Sequence, residues 1–141
     1  MPQMSAPDLA FEVARRLENY DLVIVNFANS DMVGHTGVVE AGIHAVETID
    51  LACKLLVERT LELGGKLLLT ADHGNCELMR NPDGSPNTAH TTNLVQFIYV
   101  AADAAGATLD SGILADVAPT LLDMLGVAQP AEMTGRSLIR R

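Results

Sequence analysis

The chain has 141 residues and a formal net charge of −9 at pH 7, because 18 aspartates and glutamates outnumber nine lysines and arginines. This acidic balance argues against nucleic acid or an anionic membrane as a partner held by bulk electrostatics. It leaves room for an anionic substrate, because a metal ion can reverse the local sign of a site. The length suits one domain or part of a larger one, and 48% hydrophobic residues can build a core.

The sequence favours the cytoplasm as the location of the chain. Cys53 and Cys76 form no CxxC motif, so neither a disulfide framework nor a zinc knuckle is indicated, and a reducing compartment is expected. No apolar run reaches the length of a membrane span, and residues 1–8 lack the basic and apolar regions of a secretory signal.

The first predicted element is a helix that begins after Ser5 and ends near Asn19. Ser5 is the expected N-cap, Pro7 lies in the first turn where its missing N–H costs nothing, and Asp8 completes a capping box. One face of this helix is expected to carry Leu9, Val13, Leu17 and Tyr20.

A strand, a crossover helix and a second strand follow. Residues 21–27 are apolar on both faces, as in a parallel sheet that is covered on both sides. Residues 38–63 carry apolar side chains at steps of three and four, which predicts an amphipathic helix that ends at Gly64 and Gly65. Residues 66–71 form the next buried strand, and such a strand–helix–strand unit predicts that the two strands are parallel.

The remaining elements belong to the same predicted domain, of which residues 1–141 form all or part. They are, in order, a surface loop at 81–87, a third strand at 94–101, a loop with a short strand at 102–112, a helix at 114–125 that ends at Gly126, and a tail at 127–141 without strong periodicity. The predicted fold class is therefore α/β, with a mostly parallel sheet and flanking helices.

Three of the four histidines lie in polar segments next to predicted strands. Asp31 and His35 follow the first strand, Asp72 and His73 directly follow the second, and His90 precedes the third. The carboxyl ends of the strands are where ligands bind in an open α/β sheet. We therefore expect these side chains to converge on one edge of the sheet.

Each of these groups has an ordinary structural explanation when taken alone. Asp31 and His35 share a face only if their segment coils into a helical turn, and otherwise they are a turn carboxylate and a surface histidine. His90 and the threonines around it could form local side-chain-to-backbone hydrogen bonds and nothing more. Cys76, close to the second motif, is expected to be a small buried residue.

Taken together, two carboxylates and three imidazoles favour a metal centre. A mixed set of this kind suits manganese, zinc or iron, whereas magnesium and calcium prefer oxygen ligands and structural zinc prefers cysteine. Five ligands exceed what one four-coordinate site needs, so we expect two ions, and paired ions suit phosphate-ester chemistry. None of the five serines has an obvious activating partner in the sequence, so the residues assign no nucleophile.

Five segments resemble the signatures of the cofactor-independent (2,3-bisphosphoglycerate-independent) phosphoglycerate mutase family, part of the alkaline phosphatase superfamily. They are residues 26–37 (NFANSDMVGHTG), 70–75 (TADHGN), 88–93 (TAHTTN), 115–122 (ADVAPTLL) and 132–139 (EMTGRSLI). The first is long and specific, whereas the Asp-His-Gly of the second indicates only the superfamily. The resemblance covers essentially the whole chain and is to the C-terminal part of the metal-binding phosphatase domain, which implies an incomplete alkaline-phosphatase-like fold.

This resemblance implies the interconversion of 3-phosphoglycerate and 2-phosphoglycerate in glycolysis, through a phosphoserine intermediate and with two manganese ions. Asp31, His35 and His90 would hold one ion, and Asp72 and His73 would help to hold the other. In the family, the nucleophilic serine and the side chains that bind phosphoglycerate lie in sequence regions that residues 1–141 do not match. The chain alone is therefore expected to be inactive.

Two alternatives stay open on the sequence. Another phosphomutase or phosphatase of the alkaline phosphatase superfamily would share the metal motifs but act on a different ester, although the long motif at 26–37 weighs against it. A non-catalytic metal-binding remnant would share the fold and lack the activity. In either case a sheet without its N-terminal strands would expose apolar surface, so we expect self-association as a homo-oligomer.

Overall fold

The computed structural model describes residues 1–141 and divides into two compact units. The first unit comprises Met1–Leu63 and His73–Val95, and the second comprises Gly64–Asp72 and Gln96–Arg141. The helices of the first unit are α1 (Ala6–Arg16), α2 (Asn29–Gly34) and α3 (Val39–Glu62). The second unit contains β1 (Lys66–Thr70), β2 (Phe97–Ala101), β3 (Thr108–Leu109), α4 (Val117–Leu125) and β4 (Ile139–Arg140).

The first unit is built on the packing of α1 and α2 against α3. The buried residues of α1 are Ala6, Ala10 and Ala14, whose spacing of four places them on one face of the helix. Of the four apolar residues expected to share one face, Leu9 and Tyr20 are exposed and Val13 and Leu17 are half-buried, so the small alanines and not these larger residues form the buried face. Because alanine has only a Cβ, this face lets two helix backbones approach closely.

The ends of the helices follow the predicted signals in part. Pro7 lies in the first turn of α1 as expected, but the side chain of Ser5 makes no capping hydrogen bond, so the predicted capping box is absent. The reason is local, because Ser5 has φ −96° and ψ 7° and not the extended backbone of an ordinary N-cap. Gly64 (φ +70°) and Gly126 (φ +68°) follow α3 and α4 in the left-handed conformation, as predicted.

Residues 21–27 do not form the predicted buried strand. No β-ladder includes them, and Ile24 is 80% exposed. The strand β1 pairs instead with β2, in an antiparallel register from Lys66 opposite Ala101 to Thr70 opposite Phe97. The parallel strand–helix–strand pairing is therefore wrong for this chain, because an apolar pattern predicts that a strand is covered but does not specify its neighbour.

The tail of the second unit is ordered, which its lack of periodicity did not predict. The buried carboxylate of Asp116 accepts hydrogen bonds from the backbone N–H groups of Ile113 (2.8 Å) and Arg136 (2.9 Å). The fully buried Thr120 hydroxyl donates to the Asp116 carbonyl (2.7 Å) and accepts from the Leu138 N–H (3.1 Å). Two buried polar side chains on or beside α4 thus hold the tail, and β4 pairs with β3.

Other predicted elements are confirmed at the level of their type. The long helix, the strand after it, the loop at 81–87, the third strand and the final helix are all present, each within a few residues of its predicted bounds. None of the helices combines the length and the apolar character that a membrane crossing needs.

Replacing Ala10 with leucine tests the close packing of α1. Ala10 is 1% exposed, so the added methyl groups must displace α1 from its neighbours. We expect Ala10→Leu to lower the free energy of unfolding by about 1–3 kcal/mol, measured by urea denaturation. The neighbouring Phe11 is 66% exposed, and Phe11→Leu should change that free energy by less than about 0.5 kcal/mol. Equal stabilities of the two variants would contradict the alanine face.

Candidate metal centre

Three potential metal-ligand atoms converge in the first unit. Asp31 lies in the first turn of α2 and His35 directly follows this helix, so the segment does coil into a helical turn and their spacing of four places both side chains on one face. The Nε2 atoms of His35 and His90 lie 3.3 and 3.0 Å from Asp31 Oδ1, and 3.1 Å from each other. A carboxylate oxygen and two imidazole nitrogens thus face one another, with all three within 4.8 Å.

A backbone carbonyl fixes the tautomer of His35. Nδ1 of His35 lies 2.6 Å from the carbonyl oxygen of Thr88. A carbonyl oxygen can only accept, so Nδ1 must carry the proton and donate it. In the neutral ring, Nε2 then presents its lone pair to the cluster, which is the arrangement that metal-binding histidines adopt.

His73 lies beside this cluster without adding a fourth convergent atom. Its ring stacks on that of His90, with 3.8 Å between centroids and 21° between planes, and its Nδ1 lies 3.3 Å from the carbonyl oxygen of Gly74. Asp72 is exposed and belongs to the second unit. The structure therefore brings together Asp31, His35 and His90 as one set of donors, with His73 packed against it.

The surroundings of Asp31 keep its carboxylate ionised. Burial raises the pKa of the Asp31 carboxyl. The hydrogen bond from the Asn75 side chain and the charge interactions with the three nearby histidines act in the opposite direction and hold that pKa below its ordinary value. At neutral pH the cluster therefore has one negative oxygen, which a divalent cation requires.

Two residues that support the cluster were missed as site residues in the sequence. Asn75 is 6% exposed, and its Nδ2 lies 2.7 Å from Oδ1 of Asp31. The Glu77 carboxylate accepts hydrogen bonds from the Thr91 hydroxyl, from Asn93 Nδ2 (3.0 Å) and from the backbone N–H of Asn75 (2.6 Å). The only sequence signal for these residues is their place just after the Asp-His-Gly motif, which Asn75 follows directly and Glu77 follows two residues later.

The Glu77 contacts join the segment after β1 to the segment that carries His90. The hydrogen bond from the Thr91 hydroxyl, with those from Asn93 and the backbone, outweighs burial and holds the pKa of the Glu77 carboxyl below its ordinary value. An isolated bridge pairs Gly74 with Thr91, and a Cβ at Gly74 would overlap with the side chains of both Glu77 and Thr91. Glycine is therefore required for this close approach.

The donor set fits a divalent transition metal. Two imidazole nitrogens and one carboxylate oxygen suit manganese, zinc, iron or cobalt better than a hard cation that prefers oxygen alone. Cys76 does not belong to this set, because its thiol donates to the backbone carbonyl of Ser30 at 2.8 Å, and burial raises its pKa. The thiol therefore stays protonated and serves packing.

A family model described as the Metalloenzyme superfamily matches residues 1–129. The chain belongs to this superfamily. The presence of a compact carboxylate–histidine cluster agrees with membership of a group of metalloenzymes, and the predicted relationship to the alkaline-phosphatase-like fold is confirmed at this level.

Relatives of the chain include 2,3-bisphosphoglycerate-independent phosphoglycerate mutases. The protein of that name from Akkermansia muciniphila is 64% identical over 138 residues, which cover 98% of this chain and 27% of the relative. The protein from Moorella thermoacetica is 56% identical with the same coverage. The chain thus spans about 27% of the length of the curated relatives it matches.

A solved structure gives the same result for the fold. The chain matches a crystal structure of Leishmania mexicana phosphoglycerate mutase, determined at low cobalt concentration, with a TM-score of 0.88 and 30% sequence identity. The match covers 99% of this chain and 29% of the other. Both the family resemblance and the fold class predicted from the sequence are confirmed, although the predicted parallel strand pairing is not formed.

Removal of the Asp31 carboxylate tests the cluster as a metal site. We expect calorimetric titration of the metal-free chain with Mn²⁺ to show one binding site, because the three donor atoms already face one another. Asp31→Ala should abolish this binding, since it removes the only anionic donor of the three. The matched control is Asp50→Ala, which removes an exposed carboxylate from α3 and should leave the affinity unchanged. Binding that survives in Asp31→Ala would contradict this assignment.

Proposed function

We propose that this chain supplies the metal-binding part of a cofactor-independent phosphoglycerate mutase that interconverts 3-phosphoglycerate and 2-phosphoglycerate through a phosphoserine intermediate. One observation carries the proposal. The Asp31, His35 and His90 donors converge in a chain that is 64% identical to a mutase over almost its whole length. The proposal places the reaction in glycolysis and in the cytoplasm, in agreement with the sequence analysis.

In this proposal Asp31, His35 and His90 hold one divalent ion, and Asp72 and His73 help to hold a second. We propose manganese for both, since a mixed nitrogen and oxygen set suits it. Cobalt, which was present at low concentration in the Leishmania mexicana structure, suits the same donors. When bound, such ions lower the pKa of a nearby hydroxyl and stabilise the charge on transferring phosphoryl oxygens.

Contacts within the chain orient the three residues that would bind the ion. His35 is held by the Thr88 carbonyl in the tautomer whose Nε2 can bind a cation. The ring of His90 is held against that of His73, and Asp31 stays ionised. Since the protein's own contacts set these three conditions, the site needs little rearrangement to accept an ion, which favours tight binding.

We further propose that catalysis needs parts of the mutase that lie outside the region matched by this chain. The nucleophilic serine and the groups that grip phosphoglycerate belong, by the family resemblance, outside the matched 27% of the relatives. Within this chain, Ser85 and Ser137 donate their hydroxyl hydrogens to Asp83 and Asp123.

We also propose that the chain forms a homo-oligomer, which the exposed apolar residues at 22–24 support.

A chimera tests the proposed function directly. The segment of the Akkermansia muciniphila mutase that aligns with this chain is replaced by the chain itself. We expect the chimera to convert 3-phosphoglycerate to 2-phosphoglycerate in the presence of Mn²⁺, and the chain alone to show no turnover, because only the chimera contains a nucleophile and a substrate clamp. An enolase-coupled assay measures both.

The control variants separate the metal site from general damage. Asp31→Ala in the chimera should abolish turnover, whereas Asp50→Ala on the exposed side of α3 should retain it. A folded, metal-loaded chimera without mutase activity would argue against the proposed function. Turnover by the chain alone that is lost in Asp72→Ala would contradict the proposal that the nucleophile and the substrate-binding groups lie outside this chain.

A further inference from the structure

A single buried carboxamide holds Asp31 at two points. Nδ2 of Asn75 lies 2.7 Å from Oδ1 of Asp31 and 3.2 Å from its backbone carbonyl oxygen. That same carbonyl accepts the backbone N–H of His35 at 3.2 Å, which closes the turn of α2 that joins the two donors. The Asn75 carboxamide therefore contacts both the carboxylate of Asp31 and the backbone that carries it.

The other end of this carboxamide has no hydrogen bond. Oδ1 of Asn75 is buried and accepts from no donor, which is unfavourable for an amide oxygen. Exchanging the oxygen and nitrogen positions would not help, because the oxygen would then face two acceptors on Asp31. The orientation is thus determined by Asp31 alone, and the carboxamide leaves its own oxygen unsatisfied to maintain that contact.

Gly34 provides the space for this arrangement. A Cβ at Gly34 would overlap with Oδ1 of Asn75 and lie close to the rest of the carboxamide. Gly34 is the last residue of α2, where alanine would be a better helix former than glycine. The helix itself therefore does not require glycine at this position, but the Asn75 side chain does.

The backbone of Asn75 is also fixed. Its N–H donates to the Glu77 carboxylate at 2.6 Å, and Glu77 in turn accepts from Thr91 and Asn93, beside His90. Asn75 thus connects the segment of His90 to the helix of Asp31 and His35. Neither Asn75 nor Gly34 is among the three convergent donors.

We propose that Asn75 and Gly34 form a positioning pair, in which the Asn75 carboxamide aims the Asp31 carboxylate at Nε2 of His35 and of His90, and Gly34 leaves the room for it. The inference rests on the proposed metal site and assigns the residues that set its geometry. Outer partners of metal ligands affect affinity without touching the ion, because they hold the ligand in the binding orientation.

Titration with Mn²⁺ tests the pair in three variants of the chain. Asn75→Leu keeps a branched side chain of similar size, adds no charge and removes the N–H donor, Asn75→Ala removes the carboxamide, and Gly34→Ala displaces it. We expect each to weaken Mn²⁺ binding by about 10- to 100-fold. Gly34→Ala combined with Asn75→Ala should bind no more weakly than Asn75→Ala alone, because the added methyl group then has nothing to displace.

Matched controls distinguish positioning from loss of fold. Gly42→Ala places a Cβ against the side chain of Met79, in the same kind of crowded helical position, and contacts neither Asn75 nor any of the three donors. Asn81→Ala removes a carboxamide that donates to Ser85 and to the Pro86 carbonyl. Both should retain the wild-type Mn²⁺ affinity even if urea denaturation shows a lower stability. Wild-type affinity in Gly34→Ala and Asn75→Leu would overturn the proposal.

A second readout needs no metal and keeps the two proposals distinguishable. In the metal-free chain, NMR should show slowly exchanging side-chain amide protons of Asn75, and both Asp31→Ala and Gly34→Ala should make that exchange fast. A wild-type chain that binds no Mn²⁺ but shows this protection would contradict the metal site and support the positioning pair. Unchanged exchange in both variants would overturn the pair.

Discussion

The geometry of the candidate metal centre depends on the Asp31 carboxylate. Its Oδ1 receives the Asn75 amide and faces the Nε2 atoms of His35 and His90, so one oxygen organises groups from three separate segments of the chain. The two imidazole nitrogens lie 3.1 Å apart. The Asp31 carboxylate, which its lowered pKa keeps ionised, supplies the one negative charge beside them, and a cation bound by all three atoms would neutralise that charge.

Hydrogen bonds between polar side chains and the backbone, and not the apolar core, hold the segments around this oxygen in place. The helix α2 supplies Asp31 and packs against α3, and the loop that carries His90 is held by Thr91 and by the Gly74 bridge. These loops expose much of their surface, so their geometry depends on hydrogen bonds at Glu77 and Asn75. Such an arrangement is typical of functional sites, where loops carry the chemistry and a rigid element positions them.

The sequence predicted what depends on periodicity and local signals. The long helix α3 and its glycine end follow from spacings of three and four and from the conformational freedom of glycine, whereas the helical turn that brings Asp31 to His35 was only one of two interpretations of that segment. The partner of β1 was not predictable, because an apolar run does not specify which strand it pairs with, and the apolar run at 21–27 forms no strand and exposes Ile24. Asn75 was missed as a supporting residue for a similar reason, since its role comes from Asp31, which is 44 residues away in the chain.

Anomalous diffraction from crystals of the chain soaked in Mn²⁺, recorded at the manganese absorption edge, locates a bound ion directly. We expect one strong anomalous peak in contact with Oδ1 of Asp31 and with the Nε2 atoms of His35 and His90, and Asn75 still bonded to Asp31. A peak elsewhere on the chain, with these three atoms left without an ion, would contradict the claim that they form the metal centre.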